Sequence, residues 1–395
     1  MFSARTRWDL TPNRLATLAA RARAGGRPLL DLTETNPTRA GLVAPPEVLS
    51  WMAEPRGLAY QPDPRGLAAA RRAVAADHAR RGFTVDPEHV VLTASTSEAY
   101  AFLFKLLCEP GDAVAVPRPS YPLFEYLARL EGVEVVPYPL RYDGEWHVGR
   151  GDLEAALTGR TRAVVVVSPN NPTGSYLKRD EADALLALCA ERGLALIADE
   201  VFADFALRED PRRVASLAGR TEALTFALGG LSKSCGLPQL KLAWIAASGP
   251  DALRGAALER LEVVADTYLS VGTPVQEAAP RILRALPALQ APLRERVLTN
   301  LSVLRGQVAR VPVVSLLEPE GGWSAVLRAP AHHTEEEWCA RLIEEDGVLV
   351  QPGYFFDFPS EAFLVPSLLP PPDVFAEGVA RLLARLGEHP AGDVL

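Results

Sequence analysis

Four short segments hold the side chains best suited to act on a small molecule. They are Ser95-Thr96-Ser97, the turn SPNNPTG at Ser168–Gly174, ADEVF at Ala198–Phe202, and GGLSKSCGLPQLK at Gly229–Lys241. Lys233 in the last segment offers a primary amine, the group that condenses with a carbonyl to a Schiff base. Asp199 offers a carboxylate and Asn171 an amide that can both donate and accept a hydrogen bond. Ser95, Thr96 and Ser97 precede a helical pattern at Glu98, so backbone N–H groups and hydroxyls can converge on an anion at a helix N-terminus. Each segment is weak alone. A Ser/Thr cluster opening a helix is most often a cap, and NNPTG is an ordinary turn sequence. A strand-end Asp is often structural, and an isolated lysine is usually on the surface.

Their weight lies in what precedes them. Between about residues 90 and 250, the β-rich runs HVVLTA, DAVAVP, VEVVPY, RAVVVVS, LALIADE, ALTFAL and KLAWIAA alternate with helical patterns. One helix from Glu98 has Ala99, Phe102, Leu103, Leu106 and Leu107 on a single face and ends at Pro110-Gly111. Another covers Arg179 to Arg192 and ends at Gly193. This alternation predicts an α/β fold with a mostly parallel sheet, helices on both faces. Ligands of such sheets sit at the carboxyl ends of the strands, where all four segments fall.

The last hundred residues read differently. A long helical stretch at Pro287–Ala309 leads to the strand GGWSAVLRA, a helix from Glu335, the strand GVLVQPG, and a terminal helix around Phe375–Leu386. We expect a large domain over residues 45–285 and a smaller α+β domain made of 1–44 and 286–395. The chain of 395 residues is long enough for two such cores. Its formal charge of −8 argues against nucleic acid or an anionic membrane as the main partner. The start, MFSARTRWDLTP, lacks the apolar centre of a signal peptide, and no apolar run approaches the ~20 residues of a membrane helix. Cys108, Cys189, Cys235 and Cys339 form no CxxC, and the six histidines show no ligand spacing, so we expect no metal and a cytoplasmic protein with reduced thiols.

In this order and on these strand ends, the four segments resemble the active-site set of fold-type I pyridoxal-phosphate enzymes, particularly the class I/II aminotransferases. The resemblance covers nearly the whole chain and implies pyridoxal 5'-phosphate as cofactor. Lys233, in L-S-K-S, corresponds to the family's Schiff-base lysine. Asp199 matches the acid that keeps the pyridine nitrogen protonated, and Asn171 the amide on the ring oxygen. Tyr121, in P-S-Y-P, falls where the family stacks an aromatic ring on the cofactor. Ser95, Thr96, Ser97 and Lys241 fall to the phosphate, and Ser232 is a further cofactor-binding residue. Tyr60, in YQPDPRG, and Thr273, before Pro-Val-Gln, resemble residues that reach the phosphate of a neighbouring subunit, which implies a homodimer.

The chain also departs from the family. Phe202 stands where many relatives place a tyrosine bonded to the ring oxygen. Lys241 replaces an arginine, keeping the charge but losing the planar fork, and Gly230 lacks a hydroxyl that many relatives offer. Most consequentially, EAFLVPSLLPP carries Val365 where relatives place the arginine that clamps the substrate α-carboxylate, and no arginine lies between Arg341 and Arg381. Arg39, after Asn36-Pro37-Thr38, is the expected replacement at the substrate mouth, with Asn36 beside it. Arg118 is expected on the surface and Cys235 in packing, while Gln351 and Tyr354 fall on a loop bordering the pocket.

The resemblance implies a transaminase passing an amino group from an amino donor to an oxo-acid acceptor. A lyase or decarboxylase on the same scaffold stays open, because the missing clamp helps decide which Cα bond stands perpendicular to the ring. A catalytically idle cofactor-binding module ranks third, since Lys233, Asp199 and Asn171 are all retained.

Overall fold

The computed structural model describes residues 1–388. All seven apolar runs become strands of one eight-stranded sheet: β1 Val90–Thr93, β2 Ala113–Arg118, β3 Glu134–Tyr142, β5 Thr161–Val167, β6 Ala195–Asp199, β7 Thr225–Gly230 and β8 Ala243–Ser248. A short strand not expected from the sequence, β4 Trp146–Val148, completes it. The spatial order is β1-β8-β7-β6-β5-β2-β3-β4, with only β4 and β8 running against the rest. Every residue of β6, β7 and β8 is buried. Both faces are covered, which is why these strands read as unbroken apolar runs. One face packs Val91, Phe102, Val114 and Phe226, the other Val164, Leu185, Leu196 and Leu217.

Helix α1 spans Thr96–Leu107, starting two residues before the expected Glu98. The Ser95 hydroxyl accepts the Glu98 N–H at 3.2 Å, while the Glu98 carboxylate accepts the Ala94 N–H at 2.6 Å, so the cap is doubly held. Near the C-terminus, Ser315–Leu317, Val326–Arg328, Phe363–Val365 and Gln351–Pro352 form an antiparallel sheet in that order. The expected strand GGWSAVLRA shrinks to Val326–Arg328, because Gly321-Gly322 turns with Gly322 at φ 83°. The expected strand GVLVQPG splits in two: Val348–Leu349 pairs in parallel with Leu30–Asp31, and Gln351–Pro352 joins the other sheet. The N-terminal segment thus joins the C-terminal unit.

The helix Leu286–Val308 runs unbroken, with Pro287 in its first turn, where a missing N–H costs little, and Pro292 inside. Leu286 and Leu289 pack in the core beside the large sheet, whereas Leu293, Val297, Leu301 and Leu304 pack in the C-terminal core. The four cysteines are unpaired. Among the described residues, no helix is long and apolar enough to cross a membrane.

Candidate active site

β1, β2, β5, β6 and β7 point the same way, so the segments that follow them meet on one edge of the sheet. β1 leads into Ser95–Ser97, β2 into Pro119–Tyr121, β5 into the NNPTG turn, β6 ends on Asp199, and β7 runs directly into the single turn Leu231–Ser234 that carries Lys233. The Ser168 N–H donates to the Asp199 carbonyl at 2.9 Å, tying two of these segments together.

Asp199 is buried at the end of β6. Its Oδ2 accepts the Tyr100 hydroxyl at 3.0 Å and its Oδ1 accepts the Val201 N–H at 3.2 Å. Burial pushes its acid up to about 6, against those two hydrogen bonds and the charge of Lys233. Desolvation lowers the Lys233 amine, and the Asp199 charge opposes that fall. Neither group makes a salt bridge among the described residues. A buried acid and a desolvated amine on neighbouring strand ends, each without a counterion in contact, suit a ligand with a basic nitrogen at one end and a carbonyl at the other. Pyridoxal 5'-phosphate has both.

Above the amine stands an aromatic wall. Lys233 Nζ lies over the rings of Phe202 and Trp323, at 5.5 and 5.3 Å from their centroids. Phe202 and Phe205 both meet Trp323 edge-on, at 5.3 and 5.0 Å. Trp323 is placed by the segment before it. Glu320 is buried and accepts from Lys178 Nζ at 2.6 and 2.7 Å, from Arg208 at 2.6 Å and from the Tyr176 N–H at 2.8 Å. The NNPTG turn closes against the same segment. Gly174, at φ 71°, leaves no room for a Cβ, which would lie 2.6 Å from the Gly321 carbonyl oxygen.

For an anion, the Thr96 and Ser97 hydroxyls at the start of α1 have no hydrogen-bond partner among the described residues, and the Ser95 hydroxyl, which accepts at the cap, makes no donation of its own among them. Ser232 is half-buried beside Lys233. Lys241 is exposed, in the left-handed conformation at φ 54°, and makes no ion pair among the described residues. The Asn171 side chain is unpartnered among them too, unlike its neighbour Asn170, which is locked onto Ser120, Thr173 and the Pro119 carbonyl. Tyr121 is about half exposed on the loop after β2. Tyr60, 81% exposed, and Thr273 line one surface recess with Phe102, Leu269 and Gln276, and none of Ser95, Thr96, Ser97, Ser232 and Lys241 lines it.

Among the described residues, the expected substrate residues make no hydrogen bond or ion pair with these side chains. Asn36 Oδ1 accepts from the Thr38 N–H and hydroxyl at 3.0 and 2.8 Å, and Arg39 pairs with Glu34 at 2.8 Å with its side chain 70% exposed. Val365 is fully buried opposite Gln351, in an apolar cluster with Tyr138, Trp146, Phe356 and Phe363. Arg118 is held by Glu125 and Asp357 at 2.8 and 3.4 Å. Cys235 is buried and its thiol is pushed up to about 12 by burial, so it packs as a neutral group. Tyr354 is exposed beside the loop's turn. Three features escaped the sequence reading: Tyr100, Trp323 and the Lys178–Glu320 pair.

A sheet of this order, with an acid and an amine on adjoining strand ends, is the fold-type I architecture of transaminases. The chain belongs to the family described as aminotransferase class I and II, whose model matches residues 27–365. It is 34% identical to an arginine–pyruvate transaminase of Pseudomonas aeruginosa over 293 residues, covering 73% of this chain and 72% of that one. It is 28% identical to an alanine aminotransferase of Mycobacterium tuberculosis, over 93% of this chain and 87% of that one. Its fold matches a solved alanine aminotransferase from Pyrococcus furiosus with a TM-score of 0.88, at 22% identity, over 97% and 99% of the two chains.

Proposed function

We propose that this transaminase uses pyridoxal 5'-phosphate held at the carboxyl edge of the sheet to move an amino group from an amino donor to an oxo acid. The observation that carries the cofactor assignment is the pair of buried Asp199 and half-buried Lys233 on neighbouring strand ends, neither with a counterion in contact. When bound, the cofactor supplies an electron sink for charge at the substrate α-carbon. Lys233 would hold it covalently, and its free amine would be the group that moves the substrate α-proton. Its lowered pKa keeps more of it in the basic form than a surface lysine would have. Asp199 keeps the ring nitrogen protonated, Asn171 donates to the ring oxygen, and Tyr121 covers one ring face. Phe202 and Trp323 exclude water over the amine. Ser95, Thr96, Ser97, Ser232 and Lys241 bind the phosphate, and Tyr60 and Thr273 reach the phosphate of a partner subunit in a homodimer. With four unpaired thiols the enzyme suits the reducing cytoplasm.

The relatives named above are all transaminases, which favours transamination over the lyase or decarboxylase reading. Their names share alanine or pyruvate, and we take that pair as one half of the reaction. Adding alanine to the holoenzyme should convert the cofactor stoichiometrically to its pyridoxamine form, with pyruvate released. Release of ammonia or carbon dioxide instead returns the lyase reading. Borohydride reduction and peptide mapping should place the pyridoxyl group on Lys233, and a label on any other lysine refutes the attachment.

With Val365 walled in by aromatic rings, a carboxylate has no cation at the family's usual place. Arg39, beside Asn36, is the cation proposed to meet it. Arg39→Ala should lower kcat/KM for α-amino acids about tenfold or more, the worth of one charged hydrogen bond, with the cofactor spectrum intact. A variant equal to the parent sends the carboxylate elsewhere.

A further inference from the structure

One buried hydroxyl at the sheet edge is not used by this reaction scheme. Tyr100 lies on α1, four residues after Thr96, and is only 3% exposed. Its ring is fixed edge-on against Phe124, with centroids 5.3 Å apart, and tilted against Phe104 at 5.9 Å. The hydroxyl points at the site acid and donates to Asp199 Oδ2 at 3.0 Å. Burial and the Asp199 charge hold the phenol well above its ordinary 10, so it stays a neutral donor at working pH. Since the Val201 N–H occupies Oδ1, each carboxylate oxygen has one fixed donor and keeps a lone pair for a cationic N–H.

We propose that Tyr100 is a positioning residue for the cofactor, its hydroxyl fixing the Asp199 carboxylate, ionised and correctly turned, at the ring nitrogen. The proposal rests on the assignment of Asp199 to that nitrogen. The position of Tyr100 adds a second consequence. The N-terminus of α1 faces the phosphate in the same reading, and Tyr100 stands about 6 Å further along the same helix axis. One rigid element therefore sets the spacing between the phosphate site and the acid. Removing the hydroxyl takes a donor from a buried carboxylate whose pKa burial already raises, so the carboxylate takes up a proton at still higher pH.

The test uses apo-protein and two ligands, pyridoxamine 5'-phosphate and its 1-deaza counterpart, which has carbon in place of the ring nitrogen. Affinities are measured by calorimetry between pH 5 and 9. The parent should prefer the nitrogen ligand, and the preference should fade as the pH drops and Asp199 takes up its proton. Tyr100→Phe keeps the ring packing. It should reduce the preference about tenfold and move its fading upward by roughly one pH unit, with affinity for the deaza ligand unchanged. Equal loss for both ligands marks a merely structural role and overturns the proposal, as does a variant indistinguishable from the parent. Asp199→Asn separates the two assignments: if it keeps the parent's preference, the placement of Asp199 itself is wrong. If Tyr100→Phe does not fold, site-specific 3-fluorotyrosine at position 100 probes the same bond. Its more acidic phenol is the stronger donor and should move the fading downward, and an unmoved midpoint overturns the proposal.

Discussion

Burial of Asp199 makes the apo-protein less stable once its carboxylate is charged. Its pKa in the folded protein is raised from 3.8 to about 6, so folding favours the protonated form. That advantage is complete below pH 4 and is lost as the pH rises through about 6, where the charge must sit buried. A shift of about two units is on the order of 3 kcal/mol. Asp199→Asn should therefore leave apo-protein stability unchanged near pH 4 and raise it at pH 8 by up to that amount, in urea denaturation. The Tyr100 hydroxyl and Val201 N–H can still donate to the amide oxygen. The same variant should retain cofactor poorly, and a variant no more stable at pH 8 contradicts the burial argument. Asp199 and Lys233 were legible in the sequence because each follows an unmistakable apolar run. Tyr100 was not. An aromatic residue in a helix reads as core, and its hydroxyl partner lies 99 residues away.

At the scale of elements, the aromatic wall depends on a buried ion pair that no local pattern announces. Lys178 and Glu320 are 5% and 2% exposed at their side chains and join the segment after the NNPTG turn to the one before Trp323. Arg208 adds a second cation to Glu320 at 2.6 Å. Removing one partner leaves an uncompensated buried charge, which costs about 3–5 kcal/mol. Glu320→Ala should lose stability by that order in chemical denaturation. Trp323, three residues on, should move with it and change the fluorescence around Lys233. Lys178→Met with Glu320→Leu should recover part of the loss, because the fully buried charge is no longer stranded, while Arg208 and the Tyr176 N–H still lose an acceptor. If the single variant loses under 1 kcal/mol, the pair does not hold this segment. The strands and the long helices were legible from period and length. The short C-terminal strands were misjudged in extent, since Gly321-Gly322 and the break between Leu349 and Gln351 depend on which sheet each piece joins.

The whole molecule leaves a group of apolar side chains in water near the recess that holds Tyr60 and Thr273. Leu58, Tyr60, Val263 and Tyr268 are all more than half exposed, and Leu269 lines the recess itself. Apolar exposure on this scale marks a contact surface, and a self-complementary one gives a dimer with two-fold symmetry. In the proposed dimer Tyr60 of one protomer would serve the phosphate of the other, in keeping with a recess that none of Ser95, Thr96 and Ser97 lines. Light scattering should report a dimer, and Tyr268→Asp should shift it toward monomers that lose cofactor on dialysis. Tyr60→Phe should keep the dimer and weaken cofactor binding by about 1.5–3 kcal/mol, the worth of a hydrogen bond to a charged group. Mixing decides whether the tyrosine acts across the interface. Lys233→Ala chains carry an intact Tyr60, and Tyr60→Phe chains carry an intact Lys233. Random reassembly makes half the dimers hybrid, each with one complete site, so about a quarter of all sites regain the parent's cofactor affinity and turnover. If Tyr60 served its own subunit, no site in the mixture would hold both side chains and nothing would be regained.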